Sequence, residues 1–134
     1  MNWSKTLIAG VVAGIALNLT EWVLHGFVMA GTYMKYPDVF DQEPANPLHF
    51  LLVAVCIALV AAMLFSKSRA SWADGVKGGA TFGAFLGLFG FFTHFYSPMV
   101  IDGFPYYLAW CQGGITFIGM VIVGVVLGAV IKKG

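Results

Sequence analysis

The chain has 134 residues, of which 60% are hydrophobic and only 10% charged, and its mean hydropathy is +0.87. A soluble domain carries about 25% charged residues and needs them to cover its outside, so this composition excludes a soluble enzyme and implies an integral membrane protein. A formal charge of +1 with no run of basic residues argues against a nucleic-acid partner, and the two cysteines, Cys56 and Cys111, fall in or near apolar segments and read as small packing residues.

The first apolar run follows Lys5 and continues to about Met29. That is longer than the apolar core of a signal peptide, and no small-x-small cleavage site follows, so an uncleaved first membrane helix is expected over 6–30. The linker "KYPDVFDQEPANP" ends it with three prolines and three acids. A second span is expected over 48–66, a short basic linker "SKSRASWAD" follows, and a third span is expected over 76–96. After "SPMVIDGFPYY" a fourth runs over 107–131, leaving nothing for a second domain. The expected fold is therefore all-α, a single four-transmembrane-helix bundle.

Basic residues set the orientation. Lys5, Lys67, Arg69, Lys77, Lys132 and Lys133 fall on one side of a four-span layout and Lys35 alone on the other, which predicts cytoplasmic termini; the membrane is expected to be a bacterial inner membrane. Trp3 and Trp72 then mark the inner interface, and Tyr33, Tyr36, Tyr106, Tyr107 and Trp110 the outer one. Asp38, Asp41, Glu43 and Asp102 face outward, where a solvated loop is the plain reading.

A shift of 69 residues lays the first span on the third: Gly10 meets Gly79, Gly14 meets Gly83, Asn18 meets Gly87, Glu21 meets Gly90 and His25 meets His94. The spacing of 4, 4, 3 and 4 keeps the five positions on one helical face in both spans. This suggests a duplicated helical hairpin. Small residues at every fourth position let membrane helices approach closely, and Gly124 and Gly128 extend the pattern to the fourth span. The matched faces are expected to oppose each other, helix one offering polar bulk and helix three offering room.

Glu21 is the only acid inside an expected span, and it lies about 24 Å along its helix from Lys5. A charge at that depth costs at least ~2.5 kcal/mol and rarely faces hydrocarbon. It must be neutral, paired with His25 one turn on, or working. All three histidines, His25, His49 and His94, fall in the outer third of the membrane, with Asn18 able to donate to Glu21. Cys56 and Gln112 have weaker claims, and the aromatic run "GFFTHFY" reads as packing and lipid-facing surface.

Three chemistries fit. The histidines and Glu21 are a normal ligand set for zinc or iron. His25 and His94 at matched depth can hold a haem, with glycine leaving room for the macrocycle. Glu21 can exchange protons, with His25 as modulator or relay, and quinone binding is a variant of these. The bland alternative is a structural accessory subunit whose polar groups fix helix register.

The layout of four short spans with Glu21 in the first resembles the small multidrug resistance transporters. That resemblance implies a homodimer exchanging protons for a cationic drug at Glu21, aided by Trp22 or other aromatics. The linkers are longer here, and His25 and His94 have no counterpart in that family. The glycine-rich first and third spans, with Trp22 near the outer boundary, also resemble uncharacterised small four-span bacterial membrane proteins, which lend no chemistry. Four short helices with exposed glycine surface are expected to self-associate or to join a larger membrane complex.

Overall fold

A computed structural model describes residues 2–40 and 46–133; Asp41 and Glu43 of the acidic linker lie outside the described residues. The described chain is helical. The elements are α1 (Trp3–Val23), α2 (Ala30–Tyr33), α3 (Pro47–Lys67), α4 (Gly75–Thr93), α5 (Ser97–Val100) and α6 (Tyr106–Val130). A π-helical turn, Leu24–Val28, continues α1, and 3-10 turns at Arg69–Ser71 and His94–Tyr96 follow α3 and α4. Four helical stretches are long and apolar enough to cross a membrane: Trp3–Val28, Pro47–Lys67, Gly75–Val100 and Tyr106–Val130. The protein is a multi-pass membrane bundle.

Local chemistry sets the helix ends. Asn2 caps α1 by accepting the Lys5 amide at 3.1 Å, and Asn46 caps α3 by accepting the Leu48 amide at 3.0 Å, with Pro47 at the first helical position. Gly75 opens α4 at a φ of +68°, and Gly103 turns the chain into α6 at +79°; side chains with a Cβ avoid that region.

The bundle is two close-packed hairpins joined through one seam. α1 packs on α3, α4 on α6, and the seam is α1 against α6. This corrects the expected pairing of the first and third spans: α1 and α4 do not run side by side, because α6 sits between them. The reason is the glycine pattern itself. Gly79 and Gly83 of α4 lie backbone to backbone against Gly124 and Gly128 of α6, and a Cβ added at Gly79 would strike the Gly124 carbonyl oxygen. Glycine on both sides permits a closer approach than glycine against a polar stripe. Gly10 and Gly14 of α1 are likewise occupied by α3, meeting Leu59 and Val55. The glycine surface expected to draw copies together is thus used within the chain.

The core runs through both hairpins, with Ala9, Ala13 and Leu17 of α1, Ala54, Ala58 and Phe65 of α3, Phe82 of α4, and Val123 and Leu127 of α6. At the end that carries both termini, Phe65 and Phe82 bring α3 and α4 together, ring centroids 5.0 Å apart, and Trp72 stands edge-on to Phe82 at 5.4 Å. Farther along, α3 and α4 diverge and leave a cleft of about 630 Å³ between them.

Candidate functional site

The cleft is walled by Ile57 and Val60 of α3 and by Leu86 and Phe89 of α4, and its floor includes Leu17 and Glu21 of α1 with Thr116 and Met120 of α6. Cys56 also lines it. A second recess, of about 300 Å³, is bordered by Asn18, Glu21, Trp22, His25 and Gly26 on one side and by Tyr33, Pro47 and Phe50 on the other. Glu21 borders both. It is half-buried on the α1 face that meets α6, where a Cβ at Gly119 would lie 4.0 Å from its Oε1.

The carboxyl of Glu21 has no hydrogen-bond or ion-pair partner among the described residues. Of the alternatives for Glu21, a pair with His25 does not form, and the helix changes pitch between the two residues. The Met29 amide reaches back to the Leu24 carbonyl at 3.0 Å, the five-residue step of a π turn. π turns of this kind recur at functional sites. Tyr33 lies eight residues after His25, about 12 Å along a straight helix. The π turn and the break at Met29 fold it back, so that its hydroxyl meets His25 Nδ1 at 2.5 Å. The same hydroxyl accepts a longer bond from Gln112 Nε2 of α6 at 3.4 Å.

His94 follows the end of α4, and its Nε2 lies 2.7 Å from Thr116 Oγ1 on α6. Each of these two imidazoles has its own hydrogen-bond partner, and the two lie close enough for the charge of one to act on the other. His49 is exposed at the start of α3 and lines neither recess. Asn18 borders the smaller recess beside Glu21 and makes no hydrogen bond to it. Among the described residues no three His, Cys, Asp or Glu side chains gather closely enough to hold a metal ion.

What the fold assembles instead is a polar belt across three helices: Asn18, Glu21 and His25 from α1 and its π turn, Gln112 and Thr116 from α6, and His94 after α4, with Tyr33 folded over the end. The sequence alone does not single out Thr116 or Tyr33 as site residues, and it points to Gln112 only weakly. The signal was present for α6: Gln112, Thr116 and Gly119 follow a 4, 3 spacing on one face, two polar positions and then a gap that admits Leu17 and Glu21. The aromatic run behaves as expected. Phe91 and Phe95 pack on Trp110 at 5.6 and 5.3 Å, while Phe92 and Tyr96 are exposed.

Replacing Thr116 with valine keeps the volume and removes the His94 partner. Interhelical hydrogen bonds in membranes average about 0.6 kcal/mol and reach about 1.7. A loss of that size is expected in the detergent unfolding free energy, and Tyr33→Phe is expected to act similarly through His25. A loss several times larger in either would show that the belt carries the bundle rather than decorates it.

No protein-family model, curated protein or solved structure matches this chain.

Proposed function

We propose that the protein binds an amphipathic molecule with a cationic or strongly hydrogen-donating head, taken from the bilayer and held with that head at Glu21. The observation that carries this reading is one carboxyl, unpartnered within the described chain, bordering two recesses in the membrane-spanning region. A carboxylate in an apolar setting needs a counter-charge or a proton, and a ligand headgroup supplies either. The surroundings suit such a guest. The walls of the cleft are aliphatic and aromatic, and the rings of Trp22 and Phe50 border the smaller recess, where a cation could lie against them. Volumes of about 300 and 630 Å³ fall within the usual range of small-molecule sites.

This reading places the protein in a bacterial inner membrane with both termini cytoplasmic, from the one-sided distribution of its cations. It also takes the two hairpins as copies of one ancestor. In support, Gly10 and Gly79, and Gly14 and Gly83, sit at matched positions and each faces the second helix of its own hairpin. Neither haem nor metal is required.

A second reading is proton-coupled export of the same class of ligand, in line with the resemblance to the small multidrug resistance transporters. It is favoured by Glu21 bordering two recesses, so that one carboxyl can meet a ligand or a proton in turn.

The test is equilibrium binding of tetraphenylphosphonium to the purified protein in mild detergent, with neutral triphenylphosphine oxide as comparison. Saturable binding of the cation, with the neutral analogue at least tenfold weaker, is expected. Equal binding of the two, or none, would overturn the assignment.

A further inference from the structure

A different part of the molecule carries a second site. At the end of the bundle that holds both termini, a recess of about 440 Å³ is lined by Asn2, Lys5, Thr6, Ser66, Arg69, Ile131, Lys132 and Lys133. Four of these are cations and none is an acid. Arg69 is the unusual member. It is only 7% exposed, and arginine is rarely so buried unless it is paired. Its Nε donates to the Ile131 carbonyl at 2.9 Å, and its Nη1 donates to the carbonyls of Trp72 at 3.3 Å and Ala73 at 3.0 Å. Its guanidinium carbon lies 4.8 Å from the centre of the Phe65 ring. Its Nη2 is buried and has no acceptor among the described residues.

Three carbonyls and a ring fix the guanidinium but bring no formal negative charge. A buried guanidinium with the N–H groups of Nη2 unpaired among the described residues, in a recess shared with three lysines, suits an anion with several acceptor oxygens. Phosphate meets that requirement: Nε and Nη1 are engaged by the three carbonyls, the two N–H groups of Nη2 remain to donate to its oxygens, and lysine adds point charge. Thr6 and Ser66 line the same recess and bond to each other through their hydroxyls at 2.7 Å, which leaves one hydroxyl proton free to donate. α1 begins at this recess with no acidic residue in its first turn, so its exposed amides add to the positive field.

We propose that this recess binds a phosphate group, the chemistry shared by the headgroup of an anionic phospholipid and by free phosphate. Basic recesses between membrane helices on the cytoplasmic side are suited to phospholipid heads. The site is separate from Glu21, at the opposite end of α1, and does not depend on what binds there.

The experiment uses the full-length protein in neutral detergent. Phosphatidylglycerol, phosphatidylcholine and inorganic phosphate are titrated separately, and retention is read by native mass spectrometry. Three variants accompany the wild type: Lys132→Gln with Lys133→Gln, which removes charge from the recess; Lys67→Gln with Lys77→Gln, which removes equal charge from the same end outside it; and Arg69→Lys. Retention of one or two phosphatidylglycerol molecules over phosphatidylcholine is expected. It should fall at least fivefold in the Lys132/Lys133 variant and change less than twofold in the Lys67/Lys77 variant. Arg69→Lys, if it folds, should reduce retention as well; the lysine pairs decide the matter without it. Inorganic phosphate competing at millimolar concentration would support the site with free phosphate as its occupant, and failure to compete would support it with the lipid head. Equal losses in the two lysine pairs would show plain surface attraction and overturn the proposal, as would retention of neither lipid nor phosphate.

Discussion

Replacing Gly79 with leucine is expected to destroy the packed bundle. The added Cβ would strike the carbonyl oxygen of Gly124 and lie 2.8 Å from both the Cα and the amide nitrogen of Gly128. All three are backbone atoms of a helix, so no rotamer change relieves the contact, and α4 and α6 must separate. Overpacking a core costs about 1–3 kcal/mol when side chains can move aside; here the loss should reach or exceed the top of that range. Gly114 supplies the matched control on α6, since a Cβ built there meets nothing within 4 Å. Gly114→Ala is expected to stay within about 0.5 kcal/mol of wild type. Size-exclusion profiles and thermal unfolding in detergent read both. A monodisperse Gly79→Leu protein with wild-type stability would mean that α4 and α6 are not packed backbone to backbone.

Replacing Glu21 with glutamine is expected to leave the fold intact and to remove most of the affinity for a lipophilic cation. Glu21 makes no hydrogen bond or ion pair within the described chain, so its loss strands no partner. Glutamine has nearly the same volume, so the recesses keep their shape. An ion pair about 6 Å apart at an effective dielectric of about 20 is worth about 3 kcal/mol, which corresponds to a weakening of about a hundredfold. Asp102→Asn, in the exposed turn before α6, is expected to bind as wild type. If Glu21→Gln binds tetraphenylphosphonium as well as wild type does, the aromatic and aliphatic walls alone hold the ligand and Glu21 is a register-setting residue.

These outcomes bear on how much the sequence made legible. The four spans were readable to within a few residues because apolar runs of membrane length are a strong physical signal: 48–66 was expected and Pro47–Lys67 is found, and 107–131 was expected and Tyr106–Val130 is found. Helix neighbours were not readable. Helices that are apolar on every side give no preferred face, and the glycine pairs at Gly10 and Gly14, Gly79 and Gly83, and Gly124 and Gly128 are compatible with several pairings. Only the backbone approach of α4 to α6 selects among them. The position of Glu21 as the isolated acid within the spans was plain from sequence, and the structure places it at two recesses. The pairing of His25 was not legible, because it depends on the π turn at Leu24–Val28, which a uniform helical spacing cannot anticipate. Tyr33 looks like an interface aromatic in the sequence for the same reason: eight residues of regular helix would hold it far from His25.

The most direct measurement is chemical. Dicyclohexylcarbodiimide partitions into membranes and reacts with carboxyl groups reached from the lipid, whereas a water-soluble carbodiimide reacts with those reached from solvent. With the protein in vesicles, a single adduct of the lipophilic reagent is expected, mapped by mass spectrometry to Glu21 and slowed when tetraphenylphosphonium is present. The water-soluble reagent should modify Asp38 and Asp102, both exposed, and spare Glu21. Absence of a Glu21 adduct with the lipophilic reagent, or its labelling from water alone, would contradict a carboxyl that stands open to the bilayer.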